Sequence, residues 1–177
     1  MRRPPAFDRA RAAFIYRHDD HSSALPRAIA RFKYGRIPSL AGPLAELLRY
    51  GCPWNPSDYD WLAPVPLSLE RLRWRGFNQS LLLARYLSSG THLAPTLLER
   101  VRATLPQAEL GRRERQANVR GAFRVQRDFA ARINGAAVLL VDDVMTTGAT
   151  AHECSVALRK AGAAKIDVLV LARVALG

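Results

Sequence analysis

Val138-Leu139-Leu140-Val141-Asp142-Asp143-Val144-Met145-Thr146-Thr147-Gly148-Ala149-Thr150 is the stretch on which the fold turns. Four apolar residues run into two adjacent carboxylates. A hydroxyl-rich loop with one glycine follows, and a helical pattern begins. A short apolar run bounded by polar residues predicts a buried strand. A strand, a tight loop and a helix N-terminus together form an anion cradle, because the first amides of a helix point outward and carry partial positive charge. Thr146, Thr147 and Thr150 add hydroxyl donors, and Gly148 lets the backbone come close to a ligand. Asp142 and Asp143 fall at the strand's carboxyl end, where open α/β sheets place their ligands.

The chain around this stretch has 177 residues, 49% hydrophobic and 24% charged, which fits one globular α/β domain with its own core rather than a disordered chain. No apolar run is long enough to span a bilayer. Met1 to Pro5 is basic but leads into no apolar segment, so no signal peptide is expected and localisation is expected to be cytoplasmic. Cys52 and Cys154 lie far apart without metal-ligand spacing and are read as reduced thiols. His18-Asp19-Asp20-His21 is read as a polar turn, since no further ligand cluster supports a metal there. The net charge of +12 suits anionic partners, whether phosphorylated sugars, diphosphate or nucleic acid, without choosing among them.

Upstream, Phe14-Ile15-Tyr16 suggests a brief strand after a short lead-in. Ser22 or Ser23 can cap a helix carrying Leu25, Ala28, Ile29 and Phe32, which ends in the basic aromatic turn Lys33-Tyr34-Gly35-Arg36. Leu40, Leu44, Leu47 and Leu48 predict a second helix stopping at Gly51. Trp61 to Pro66 reads as a strand entering a rigid turn, since two prolines exclude a helix. Arg71, Arg73 and Arg75 alternate with apolar residues before Gly76. They are either a solvated face or phosphate contacts, guanidinium forks being matched to phosphate oxygens. Gln79 to Ser88 is helical, with Leu83, Tyr86 and Leu87 expected on one face. Leu97 to Val101 and Ala122 to Val125 are candidate strands flanking a long polar, basic segment at 102–120, a length that usually signals function. Phe129 to Ile133 is a short helical turn, Thr150 to Ala161 a helix and Ile166 to Val174 a last strand. His152 and Cys154 are read as helix residues rather than catalysts.

Every position from Val138 to Thr150 fits the phosphoribosyl-diphosphate (PRPP) signature of type I phosphoribosyltransferases, which this stretch resembles. The Lys33–Arg36 turn, Pro64-Val65-Pro66, Arg75-Gly76-Phe77-Asn78-Gln79, Thr104 with Gln107, Arg115 with Asn118, and Gly121-Ala122-Phe123 occur in order. Together they resemble the ComF family of competence-associated phosphoribosyltransferase homologues, over about residues 14–175. The resemblance implies an α/β type I phosphoribosyltransferase fold, a central, mainly parallel sheet flanked by helices with a small N-terminal hood. It divides one compact domain into a lead-in (1–13), a helical hood (14–56) and a core (57–177). Many ComF proteins carry a cysteine-rich zinc module ahead of this domain. No CxxC pair exists here, and Pro4-Pro5-Ala6-Phe7-Asp8 resembles the linker that follows such a module, so the chain is expected to start late.

By the same resemblance, Asp142 and Asp143 are the candidate catalytic pair, holding the ribose 2- and 3-hydroxyls. Thr146, Thr147, Gly148, Ala149 and Thr150 bind the 5-phosphate. Pro64, Val65, Pro66, Ser68 and Arg71 form the diphosphate loop, and 102–120, with Arg102, Thr104, Gln107, Arg115 and Asn118, is the lid. Magnesium is the implied cofactor, held through PRPP and water oxygens rather than by a protein cage. Tyr34 and the N-terminal helices form the hood over an acceptor that the residues do not identify. Three functions follow: a working phosphoribosyltransferase, a PRPP- or nucleotide-binding regulator, or a single-stranded-DNA-binding accessory of competence machinery. The third would use Arg71, Arg73 and Arg75 with the arginines of 112–120 on phosphates, and Trp74 and Phe77 in stacking. A vicinal-diol clamp favours the first two, because DNA binding has no need of one.

Overall fold

The structure is a computed structural model that describes residues 4–17, 23–88, 92–102 and 117–175. Its centre is a five-stranded, wholly parallel sheet in the order β1-β7-β6-β2-β3. The strands are β1 (Arg9–Arg17), β2 (Trp61–Pro64), β3 (His92–Leu93), β6 (Ala137–Met145) and β7 (Lys165–Ala175). A separate antiparallel ribbon pairs β4 (Leu98–Arg100) with β5 (Phe123–Val125). The α-helices described in full are α1 (Ala24–Lys33), α2 (Ala41–Tyr50), α3 (Leu69–Arg75), α4 (Gln79–Leu87) and α5 (Ala149–Lys160). No helix among the described residues is long and apolar enough to cross a membrane.

The central strands are apolar on both sides because both faces are covered, as parallel sheets require. Alternation sends Val138 and Leu140 of β6 toward α5, where Cys154 and Leu158 meet the β4–β5 ribbon and Ile133. Leu139 and Val141 point the other way, to Phe32 of α1, Leu44 and Leu48 of α2, and Leu83 and Leu87 of α4. The N-terminal helices therefore form one of the two helical layers of the sheet.

Two expectations change. The brief strand at Phe14–Tyr16 is the end of a nine-residue strand, so that part of the lead-in, from Arg9, belongs to the sheet. It was hidden because Arg9, Arg11 and Arg17 break the apolar run on an edge strand whose outer side is polar. Arg9 instead anchors the edge: its guanidinium bonds both oxygens of Asp167, which also accepts from Tyr59 Oη at 2.6 Å. Tyr86 is half exposed, because the buried stripe of α4 is Ser80, Leu83, Ala84 and Leu87. Its hydroxyl comes to lie where a Cβ on Gly42 would stand 3.4 Å away.

The end of α2 abuts β1 at Gly51, where an added Cβ would sit 2.4 Å from Ala13 Cβ and 2.5 Å from Ala13 Cα. Gly51→Ala should therefore force α2 from the edge strand and cost about 1–3 kcal/mol, as overpacking does. Thermal melting checks this, and an unchanged midpoint would show that α2 and β1 do not meet there.

Candidate active site at the end of the central strand

β6 outruns β2. The ladder between them ends at the Pro64–Val141 pair, after which Val65 N–H donates to Val141 O at 2.9 Å. Backbone alternation turns the Asp143 amide to that same side, where β2 no longer offers a partner. The amide donates instead to Asp142 Oδ1 at 2.9 Å, and Val144 N–H donates to Asp143 Oδ1 at 2.6 Å. The strand lies where the apolar run predicts it, and both carboxylates sit within its carboxyl end, as expected.

Period-two alternation puts the two carboxylates on opposite faces of β6. Asp143, 3% exposed, faces the α1 layer, and Lys33 Nζ, on the last residue of α1, stands 3.0 Å from its Oδ2. The contact is an ion pair without hydrogen-bond geometry, so Oδ2 has a cation beside it but no hydrogen bond. Asp142 accepts a 2.8 Å hydrogen bond from Ser80 Oγ in the first turn of α4. Burial, then the neighbouring Asp143 charge, pushes the Asp142 carboxyl up to about 7; Lys33 and the Ser80 hydrogen bond oppose this. Two adjacent acids in low dielectric cannot both ionise without help.

The predicted phosphate loop follows directly. Gly148, at φ 78°, turns the chain into α5, and no side chain caps that helix. Thr147 Oγ1 accepts from Ala149 N–H at 3.4 Å. A small pocket is lined by Asp142, Val144, Met145, Thr146, Gly148, Ala149, Thr150 and Ala151, so one acid and the loop share a concavity. Cys154, one turn further, is buried, and burial pushes its thiol well up, which leaves it a packing residue.

The expected diphosphate loop lies alongside. Pro64 ends β2, Val65 and Pro66 lead out of it, and Ser68 caps α3 by accepting from Arg71 N–H at 3.4 Å. Asn78 fixes this loop: its Nδ2 donates to Val65 O at 3.0 Å while its Oδ1 caps α4 through Ser80 N–H. Gly76, at φ 85°, ends α3 and returns the chain. The Arg75-Gly76-Phe77-Asn78-Gln79 run thus assembles a turn, a cap and a loop anchor.

Two members of the expected nucleic-acid set are turned inward. Arg75 is only 6% exposed and donates to Gln79 Oε1 at 2.5 Å. Phe77 packs on Phe32 with ring centroids 5.3 Å apart. The helical period of α3 turns Arg75 inward while it leaves Arg73 and the half-exposed Trp74 outward, and Phe77 follows the turn at Gly76. Of the lid set, Arg102 donates to the carbonyls of Asn118 and Arg120 at 3.0 and 2.9 Å. Thr104, Gln107 and Arg115 lie outside the described residues, as do His18–His21.

Ser80 and Arg100 are site residues that the sequence did not single out. Lys33 was named within the Lys33–Arg36 turn, but its place beside Asp143 was not foreseen. Ser80 carried no signal beyond its place in a first turn. Burial and the like charge of Arg71 pull the Arg100 guanidinium below its ordinary pKa, which brings these two arginines of α3 and β4 to one electrostatic neighbourhood.

No protein-family model matches the chain. It is 32% identical to the DNA utilization protein YhgH of Salmonella typhi over 98% of its own length and 75% of that protein's. It is 38% identical to competence protein F of Haemophilus influenzae over 63% of this chain and 49% of that protein. With competence protein ComFC of Bacillus subtilis it shares 34% identity over 67% of this chain and 46% of that protein. In three dimensions it is similar to the glutamine PRPP amidotransferase of B. subtilis, with TM-score 0.50 and 19% identity over 76% of this chain and 26% of that one. The architecture is that of a type I phosphoribosyltransferase.

The raised Asp142 carboxyl makes a signed prediction. A carboxyl whose folded pKa lies above its unfolded value stabilises the fold fully below the unfolded value, near 4, and that stability is lost as pH rises through about 7. Asp142→Asn, which keeps the Oδ1 acceptor, should match the parent protein near pH 4 and gain up to about 4 kcal/mol by pH 8. Melting curves of both proteins across that range test it; a gap independent of pH would mean that Asp142 is not crowded by Asp143.

Proposed function

This chain belongs to the ComF family of competence and DNA-utilization proteins, and on that footing we propose that it binds PRPP with magnesium and transfers, or recognises, a phosphoribosyl group. The observation that carries this reading is the convergence at one strand end of two adjacent carboxylates and a glycine-turned loop feeding a helix N-terminus. An anionic 5-phosphate suits the N-terminal end of α5 and the Thr146, Thr147 and Thr150 hydroxyls. Adjacent ribose hydroxyls suit two carboxylates projecting from neighbouring positions, each able to accept a proton-bearing oxygen. Arg71, on α3 beyond the Pro64-Val65-Pro66 turn, suits the diphosphate.

In the transferase reading, the bond from the sugar C1 to diphosphate breaks as the acceptor's lone pair forms the new bond. Diphosphate leaves with the electron pair, and the acceptor gives up a proton. The chain's part is positioning and charge stabilisation. The carboxylates hold the ring in place, and the negative charge they keep beside it favours positive charge developing at C1. A divalent cation would fit this donor set, because it would offset the Asp143 charge that, after burial, raises Asp142. Among the described residues no three His, Cys, Asp or Glu side chains cluster, so such a cation would be held beside the Asp pair chiefly by substrate and water oxygens. When bound, magnesium supplies charge neutralisation to the leaving diphosphate.

A second reading, single-stranded DNA binding, is favoured by one specific observation. Tyr34 and Trp74 are 62% and 50% exposed, their rings 6.4 Å apart, with the Arg36 guanidinium 5.5 Å over the Trp74 ring. Exposed aromatics interleaved with arginines form a stacking platform for bases. It lies on the turn after α1 and the outer side of α3, so it could serve alongside PRPP binding, in keeping with the DNA-related names of the relatives.

Calorimetric titration with PRPP, with and without magnesium, tests the first reading. We expect binding that requires Asp142 and Asp143, with the double Asn variant at least about 100-fold weaker, since two charge-assisted contacts are lost. Binding that survives the double substitution would overturn it. For the second reading, the affinity for oligo-dT should fall with salt by about 0.7 in log–log slope per phosphate neutralised, and Trp74→Ala should weaken it without changing PRPP affinity. A flat salt response would remove it.

A further inference from the structure

The end of the sheet away from Asp142 and Asp143 carries an open cleft of about 490 Å³, whose walls include Asp60, Trp61, His92, Arg132 and Asn134. Trp61 and His92 begin β2 and β3 and are register partners, so their side chains share one face of the sheet, with ring centroids 5.6 Å apart. Ala136 and the start of β6 close the cleft, and Asp142 lies about 17 Å further along that strand at its usual rise per residue. The Arg132 guanidinium lies 4.6 Å from the Trp61 ring centroid and 5.6 Å from that of Phe129, and these two rings meet edge to face. Stacking of this kind fixes the plane of a guanidinium and leaves its N–H edges available. Arg132 makes no ion pair among the described residues. Asp60 uses one oxygen in the sheet: Oδ2 accepts from Ala137 N–H at 2.8 Å, while Asp60 N–H donates to Ala137 O at 2.9 Å. Its Oδ1 accepts no hydrogen bond among the described residues. A stacked surface arginine alone is ordinary. This cleft sets a cation and a carboxylate oxygen in one concavity without pairing them, beside the exposed ring of His92.

We propose that this cleft is a second ligand site, and that it binds a nucleoside 5′-phosphate whose base carries an exocyclic amino group. The phosphate meets the N–H fork of Arg132, the amino group donates to Asp60 Oδ1, and the base lies on the His92 ring. Each of the three unengaged groups then has a partner. Inorganic phosphate would satisfy Arg132 alone and would be repelled by Asp60. A free amino acid matches both charges, but it fills little of the volume and leaves the imidazole face bare. The shared chemistry belongs to a free nucleotide or to the 5′-phosphorylated end of a strand. The site stands apart from the PRPP reading of Asp142–Thr150 and does not depend on it.

The probes are CMP, UMP and cytidine, titrated into the nitrogen-15-labelled full chain and read at the indole N–H signals of its three tryptophans. Trp54→Phe and Trp74→Phe identify two of these signals and leave the third to Trp61. CMP should move the Trp61 signal and bind at least about tenfold more tightly than cytidine, which lacks the phosphate. It should bind at least about fivefold more tightly than UMP, which offers Asp60 an oxygen in place of the amino group. Arg132→Ala should remove the binding. Arg132→Lys, which keeps the charge but not the fork, should bind CMP at least about threefold less tightly, and it covers the case in which the alanine variant does not fold. The double Asn variant of Asp142 and Asp143 should keep the response, because the cleft lies at the other end of β6. An unmoved Trp61 signal overturns the proposal. So does cytidine or UMP binding as tightly as CMP, or CMP affinity unchanged by the Arg132 substitutions. A response lost in the double Asn variant also overturns it, since the nucleotide would then occupy the phosphate loop. Tetra-dC with a 5′-phosphate separates the two sources: tighter binding than CMP at Trp61 assigns the cleft to a strand end, and equal or weaker binding assigns it to the free nucleotide.

Discussion

One mismatch in length governs this site: β6 continues past the end of β2. Prolines at 64 and 66 stop the neighbouring ladder, because a proline brings no N–H to it. The continuing strand must then satisfy its own backbone, and it does so with the side chains of Asp142 and Asp143. That solution places two carboxylates at successive positions of one strand end, close enough for their charges to repel. The helical layer answers with Lys33 from the end of α1 and Ser80 from the start of α4. Asn78 ties these parts together, since one side chain both starts α4 and holds the loop after β2. The N-terminal helices are thus coupled to the strand end through polar contacts as well as through the core they share.

Much of this was legible in the sequence where a short-range rule applies. The apolar run at Val138–Val141, the helix after Gly148 and the stop at Gly51 depend on local periodicity and backbone preference, and they lie where expected. The parallel topology came through the resemblance, and the order of the strands confirms it. The edge strand was harder to see, because its alternation is broken by arginines, and the partner of Arg9, Asp167, lies more than a hundred and fifty positions away. Long-range ion pairs leave no local trace. The same holds for Lys33 and Asp143, and for the burial of Arg75. Its motif names the residue but not the direction in which a seven-residue helix turns it.

That direction changes the meaning of the basic run. Read as a string, Arg71, Arg73 and Arg75 look equivalent. On α3 they divide, with Arg73 in solvent, Arg71 partly buried and Arg75 enclosed. Exposed arginines gain little from any single contact and suit a diffuse, salt-sensitive partner. An enclosed guanidinium has surrendered its hydration and can recover it only from a specific acceptor. A net charge of +12 therefore says less about function than the place of one arginine does.

A comparison of buried carboxylates makes the same point within one sheet. Burial alone would raise Asp167, yet the hydrogen bonds and charge of Arg9, with the Tyr59 hydroxyl, outweigh it and hold that carboxyl below its ordinary range. Asp142 is also enclosed, but beside another acid, and is driven upward. Asp167 has the partners that a structural charge needs, so its ionisation stabilises the edge of the sheet. Asp142 has the Ser80 hydroxyl and the Asp143 amide but no ion pair among the described residues, so its ionisation works against the fold until something cationic arrives. Sequences that otherwise obey packing rules break them chiefly where a ligand is to complete the structure. Here the strained acid and the unmet guanidinium donor both lie close to Asp143 at the end of β6, while the charge at the opposite edge is matched by Arg9 and Tyr59. The site is where the chain has left its electrostatics unfinished.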